Sequence, residues 1–266
     1  DLPDVTATAG KTADVDALVA VKTPLQILNA LEACHHFGFA RPALALLTSP
    51  SFSRDFLLSL IDPEDWAQIR CLEFAIERQS IRLPLGGTYI DDNVTEYRWV
   101  LDQWQRRRRY DRFFAPWRGV SSLVVGNYHQ PHFIHLANLL ADSRCILVDD
   151  GTDTLHVARA RLRRSQGELL EPPAATPWQS PKRWWTSRHV AWDVRHRDRV
   201  VLFSTYDVEV APGDELVRNT YDRARQRCRL QGSDDRCLFL GQPLVEDGYL
   251  GRDHFEDLLD MVRRTA

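Results

Sequence analysis

The stretch Arg144-Cys-Ile-Leu-Val-Asp-Asp-Gly-Thr152 constrains this chain more than any other. Four largely apolar residues, Cys145 to Val148, stop abruptly at two adjacent carboxylates and a glycine. A strand buried on both faces of a parallel sheet has this uninterrupted apolar character. Ligands of open α/β sheets gather at the carboxyl ends of the strands. Asp149, Asp150, Gly151 and Thr152 are therefore expected at a ligand-facing rim, with Gly151 free to take a turn conformation closed to other residues. The same four residues are ordinary turn formers, so their context decides between the two readings.

Strand–helix units precede this stretch. Asp16 to Lys22 predicts a first strand that ends at Thr23-Pro24, where proline suits the first turn of a helix. That helix, about Pro24 to His36, carries Leu25, Leu28, Leu31 and Ala33 on its expected core stripe. Thr23, Gln26 and Asn29 would project near the rim of the same sheet, a common anion- or sugar-binding geometry. An ordinary helix cap accounts for them equally well. Ala43 to Thr48 predicts a second strand, with a helix within Pro63 to Ile69 and a third strand over Cys71 to Ile76. Leu83 to Asn93 reads as irregular, and Val94 to Phe114 as a long helix with Trp99, Val100 and Trp104 inward. Its Arg106, Arg107, Arg108 and Arg109 form either a solvated face or a docking patch for an anionic acceptor or membrane surface.

Ser121 to Val125 predicts a further strand that ends in the polar loop holding Asn127, His129 and Gln130. A helix over about His132 to Ala141 then leads to the strand ending at Asp149. Neighbouring parallel strands would set these two loops side by side, although His129 also fits an ordinary surface histidine. Leu155 to Arg164 is amphipathic, and the Pro-rich Glu168 to Pro181 reads as an interdomain crossing. Trp184, Trp185 and Trp192 are expected to pack at that junction. Val200 to Ser204 is expected to open a second strand–helix series, with a helix over about Asp214 to Cys228 and a strand over Cys237 to Leu240. Gly241-Gln242-Pro243 closes that strand, and a helix over about Arg252 to Arg264 follows. The expected organisation is a tail over 1–14, a Rossmann-like domain over 15–180 and a second such domain over 181–266. The second would be partial, since a nucleotide-type α/β domain needs more strands than these.

Composition removes several classes. At 266 residues the chain has room for a substantial core, and 44% hydrophobic with 27% charged residues is ordinary for a globular protein. A net charge of -3 offers no general attraction for nucleic acid. The five cysteines never fall in CxxC spacing, and Cys71, Cys145 and Cys237 sit inside apolar runs, as reduced core residues of an intracellular protein do. No run of about 20 apolar residues suits a spanning helix, and no metal-ligand cluster is visible.

Three elements in order carry a resemblance: Thr23-Pro-Leu-Gln-Ile-Leu-Asn-Ala-Leu-Glu32, Ile146-Leu-Val-Asp-Asp-Gly-Thr152 and Phe239-Leu-Gly-Gln-Pro243. Together they resemble the bacterial sialyltransferases of GT-B architecture, the lipooligosaccharide sialyltransferases and capsule polysialyltransferases. The resemblance implies two Rossmann-like domains and metal-independent, inverting transfer of sialic acid from a CMP-sugar to a hydroxyl of a glycan acceptor. It implies Asp149 as the general base, with Asp150 and Gly151 shaping its loop. The acceptor is then expected near Thr23, Pro24, Gln26, Asn29, Asn127, His129, Gly151 and Thr152. The nucleotide is expected near Ser204, Thr205, Gly241, Gln242 and Pro243. No cofactor is implied beyond the CMP-sugar donor, and the expected location is cytoplasmic, at the inner face of the membrane if the four arginines dock there. The family's His-Pro motif, which meets the leaving CMP phosphate, is missing from the sequence. Kdo or another CMP-ulosonate as donor fits the same residues, as does a glycan-binding relative without activity. A phosphatase of the DxDGT type does not fit, because Asp149 and Asp150 are adjacent and cannot both face one phosphate.

Overall fold

The computed structural model describes residues 15–73, 92–167 and 192–230, with side chains described throughout these ranges except in 92–101 and 228–230. The chain divides into two compact units, Asp1–Arg223 and Ala224–Ala266. In the first unit, seven parallel strands form one sheet: β1 (Ala17–Val21), β2 (Pro42–Thr48), β3 (Gln68–Glu73), β4 (Ser122–Val125), β5 (Arg144–Val148), β6 (Val201–Ser204) and β7 (Glu215–Arg218). Their order is β3-β2-β1-β4-β5-β6-β7. Chain progression therefore reverses between β1 and β4, and a crevice opens at the carboxyl ends of such a pair. The helices of the unit are α1 (Pro24–Phe37), α2 (Arg54–Ser59), α3 (Asp92–Phe114), α4 (Pro131–Leu139) and α5 (Asp153–Ser165). A further helix, α6 (Asp222–Leu230), begins at the boundary with the second unit.

Apolar runs without alternation become strands here because both faces of the sheet are covered. Every residue of β1 and β2 is buried. Leu18 and Ala20 join a core with Tyr110 and Phe114 of α3, Phe133 and Leu136 of α4 and Val157 of α5. Val19 and Val21 face the other way, into a core with Ile27 and Ala30 of α1, Leu57 of α2, Trp66 and Phe203. Arg161 of α5 makes a bidentate ion pair with Asp214 at the foot of β7. Asp214 also accepts from the backbone N–H of Val200, so one buried pair pins α5 to the two last strands.

Several expectations need correction. Val200–Ser204 does not open a second series: β6 pairs in parallel with β5, and β7 continues the same edge. Residues 215–218 form a strand where a helix is expected, because the short Leu216-Val217 run completes an existing sheet edge. The helix expected within Pro63–Ile69 is a single 3-10 turn at Pro63–Asp65, and the true helix lies earlier, started by the Ser53 side chain accepting from Phe56 N–H. On α1 the buried stripe is Gln26, Ile27, Asn29, Ala30, Glu32, Ala33 and Cys34, while Leu25, Leu28 and Leu31 are only half-buried. The helix turns its polar residues under the rim instead of out to water. Cys34 and Cys145 are buried free thiols, and Cys71 is only half-buried on β3. Trp104 is likewise half-buried, with the Arg108 guanidinium 4.6 Å above its ring. Trp192 packs edge-on against Tyr110 and His135. The tail 1–14, the irregular stretch before Asp92, Trp184 and Trp185, the 180/181 boundary and everything beyond Leu230 lie outside the described residues.

Candidate functional site

Loops from five strands meet at the carboxyl rim and sort into two polar clusters, one around each aspartate of the Asp149–Asp150 pair.

The first cluster fills the crevice between β1, β4 and β5. Thr23 starts α1, its hydroxyl accepting from Gln26 N–H at 3.3 Å. Gln26 is 1% exposed, and its side-chain carbonyl accepts from Lys22 N–H at 2.7 Å. That carboxamide lies against Gly126, the residue just past the end of β4. A Cβ added to Gly126 would stand 2.3 Å from Gln26 Cδ, so position 126 admits only glycine in this arrangement. Asn127 donates to Asp153 Oδ2 at 2.7 Å, while its own carbonyl oxygen accepts from His129 N–H. Burial pushes the Asp150 carboxyl above its ordinary pKa, and hydrogen bonds from Gln26, Asn127 and Thr23 oppose that shift. Gly151 follows with φ +62°, which lets Thr154 turn back and accept Asp150 N–H on its hydroxyl. Burial lowers the Lys22 ammonium from its usual pKa, and the Asp150 charge partly restores it.

The second cluster lies at the ends of β5, β6 and β7. Asp149 is 3% exposed. Its Oδ2 accepts from both the backbone N–H and the hydroxyl of Thr205, at 2.7 and 3.1 Å. Its backbone carbonyl accepts from Asn29 Nδ2 at 2.9 Å, and Asn29 Oδ1 accepts in turn from Asn219 Nδ2 at 3.1 Å. Asn219 N–H donates to the Ser204 carbonyl, and Asn219 Oδ1 accepts from Tyr221 N–H. These bonds hold Tyr221 at φ +53°, a backbone state unusual for a side chain of this size. Burial and then the Asp149 charge push the phenols of Tyr206 and Tyr221 above their ordinary pKa. Glu32 reaches the same edge, 3% exposed, and accepts from Arg223 N–H. Asp149 Oδ1 is buried and, among the described residues, has no hydrogen-bond partner. Such an atom loses water without compensation and demands a reason.

The structure therefore brings together Thr23, Gln26, Asn127 and Asp150 in one cluster and Asn29, Asp149 and Thr205 in the other. Pro24 contributes only the first turn of α1. His129 and Thr152 are exposed, and His129 takes part only through its backbone N–H, which donates to Asn127 Oδ1. Ser204, expected near the nucleotide, is fully buried, with its hydroxyl accepting from Tyr206 N–H. Gly241, Gln242 and Pro243 lie outside the described residues. Asp149, expected open at the rim, is enclosed there. Sequence reading missed Lys22, Gly126, Asp153, Thr154, Glu32, Tyr206, Asn219 and Tyr221. Lys22 and Gly126 could have been found as the first residues past their strands. Asn219 and Tyr221 were hidden by assigning their segment to a helix.

Arg106 is paired with Asp102, and Arg107 lies 3.7 Å from Asp111; Arg108 and Arg109 are exposed. Among the described residues no helix is long and apolar enough to cross a membrane. Among them no three His, Cys, Asp or Glu side chains converge as metal ligands. No protein-family model matches the chain, and no curated protein matches its sequence.

Proposed function

We propose that this protein is an inverting glycosyltransferase, moving sialic acid or a related acidic nine-carbon sugar from its CMP-activated form to a hydroxyl of a glycan acceptor. The observation that carries the reading is Asp149: one carboxylate oxygen is fixed by two donors from Thr205, and the other is buried without any. A general base is held in this way, oriented through one oxygen while the other keeps its accepting capacity for a hydroxyl proton once the enclosing loops admit the acceptor. The parallel sheet with its carboxyl-end rim supports the placement.

In the proposed step the acceptor hydroxyl donates its proton to Asp149 Oδ1. Its oxygen forms the new bond to the anomeric carbon while the bond from that carbon to the CMP phosphate oxygen breaks. The electron pair of that bond leaves with CMP, and a single displacement inverts the centre. The transition state is oxocarbenium-like, and proton removal by a positioned carboxylate contributes roughly 10²–10⁴-fold. Asp150 is not the base in this scheme. Its carboxylate ties the β1, β4 and β5 loops through Gln26, Asn127 and Thr23. The GT-B arrangement of two Rossmann-like domains, and peripheral docking of Arg108 and Arg109 on an anionic membrane face, belong to the same proposal.

Two measurements test it. CMP is expected to raise the thermal midpoint of the protein, whereas UMP, GMP and NAD leave it unmoved. Asp149→Asn is expected to abolish transfer while CMP still shifts the midpoint. Retained transfer within a few-fold removes Asp149 from the base role.

A further inference from the structure

The amino-terminal end of the strands, away from both aspartates, holds a cavity that the transfer step does not use. It lies among the last turns of α4 and α5 and the loops that enter β6 and β7, with a volume of about 960 Å³. Small-molecule sites fall in this size range. Five arginines line it, Arg161, Arg164, Arg195, Arg197 and Arg199, against a single carboxylate, Asp198. Bonds along the chain from Asp193 to Val200 fix this wall in place. Asn138 Nδ2 donates to the carbonyls of Asp193 and Arg195, at 3.1 and 2.8 Å. Arg197 N–H donates to the Tyr128 hydroxyl, and Val200 N–H to Asp214.

The arginines are not alike. Arg161 is neutralised by Asp214, and Arg195 by Asp193. The Arg197 guanidinium donates to two backbone carbonyls, Ser143 at 2.7 Å and Ala141, which fix its plane and leave its charge uncompensated. A guanidinium carries five such donors, so more remain for a ligand. Arg199 is exposed and enters none of the ion pairs among the described residues. Burial, then Arg164 and Arg161, push the His196 imidazole down to about 4, so at neutral pH it adds no charge of its own.

We propose that this cavity binds a compact diphosphate anion, either free, as in a nucleoside diphosphate, or as the headgroup of a phosphorylated lipid. Two guanidinium charges met by no carboxylate call for a ligand with at least two negative charges. The planar fork of arginine matches phosphate oxygens two at a time, and the remaining volume has room for the organic part. Asp198 is exposed, where water and salt screen it. The Asp149–Asp150 rim lies at the other end of the strands, so the two sites fill independently. This one stands whether or not the protein is a transferase.

The test uses the full chain, with inorganic pyrophosphate and phosphatidylcholine vesicles containing phosphatidylinositol bisphosphate as probes. Pyrophosphate should bind once per chain in calorimetry and raise Tm by roughly 5–10 °C at about 100 times its Kd. Chloride at equal ionic strength should not. Arg195→Gln with Arg199→Gln, both exposed, should leave the unliganded Tm nearly unchanged and weaken binding by about tenfold or more. Arg199→Gln alone, which breaks no ion pair among the described residues, should account for part of that loss. Excess CMP should not displace pyrophosphate. Pyrophosphate binding without vesicle sedimentation names a free ligand, and sedimentation that the double variant loses names the lipid headgroup. Absence of both, binding that the double variant keeps, or displacement by CMP overturns the site.

Discussion

The two halves of the rim use the same residue type to opposite ends. Around Asp150, side chains from the β1 and β4 loops converge as donors, and burial of that carboxylate is offset by Gln26, Asn127 and Thr23. Around Asp149, one oxygen is doubly held and its twin has no donor among the described residues. A satisfied buried network fixes shape. A half-satisfied carboxylate costs stability unless a ligand completes it. The difference separates two adjacent aspartates that sequence alone treats as a single motif.

That contrast can be broken in several places. The largest effect is expected at the pair itself: Asp149→Asn should lower transfer by roughly 10²–10⁴-fold, and Asp150→Asn by much less, both read as CMP release. Equal losses would erase the distinction between base and loop anchor. Gly126→Ala should come next, because the new Cβ would collide with the Gln26 carboxamide. Overpacking of this kind costs about 1–3 kcal/mol, a fall of roughly 3–10 °C in Tm for a unit of this size. Gly126→Ala combined with Gln26→Ala should recover part of that fall, and failure to do so would mean the close approach does not exist.

A separate set of effects is expected from pH. His132, 2% exposed beside the crevice, is pushed down to about 3 by burial and then by Lys22. Its folded pKa lies below the unfolded one, so its contribution is complete above the unfolded pKa of about 6.5 and is lost as pH falls toward 3. The slope is at most about 1.4 kcal/mol per pH unit. His132→Gln should flatten Tm between these limits. Asp150 acts in the opposite sense: its folded pKa is raised, so its contribution is greatest at low pH and declines as pH rises through the unfolded and then the folded value. Asp150→Asn should remove that decline, and an unchanged slope would place the carboxyl in water. The smallest change is expected from Arg108→Gln with Arg109→Gln. Losing these exposed charges should change stability by less than about 0.5 kcal/mol and reduce sedimentation with anionic vesicles.

The strands were legible because a parallel sheet covered on both sides demands continuous apolar runs, and Ala17–Val21, Pro42–Thr48 and Arg144–Val148 show them plainly. The Asp149–Asp150 turn and the polar start of α1 were legible for the same reason, lying where those runs stop. Residues 215–218 were not, since a four-residue strand is specified by the edge it joins and not by its own pattern. Losing that strand hid Asn219 and Tyr221, and with them half of the second cluster. The burial of Gln26, Asn29 and Glu32 was equally invisible. Polar residues on a helix predict a solvated face, and only the strand loops above them supply the partners that let them turn inward.

The most direct test compares consumption of CMP-sialic acid by the wild type and by Asp149→Asn, with acceptor present and CMP binding measured in parallel. The account predicts turnover in the wild type, a loss of roughly 100-fold or more in the variant, and CMP binding preserved in both. Turnover that survives the substitution within a few-fold, or a wild type that binds CMP and consumes no CMP-sugar, would contradict it.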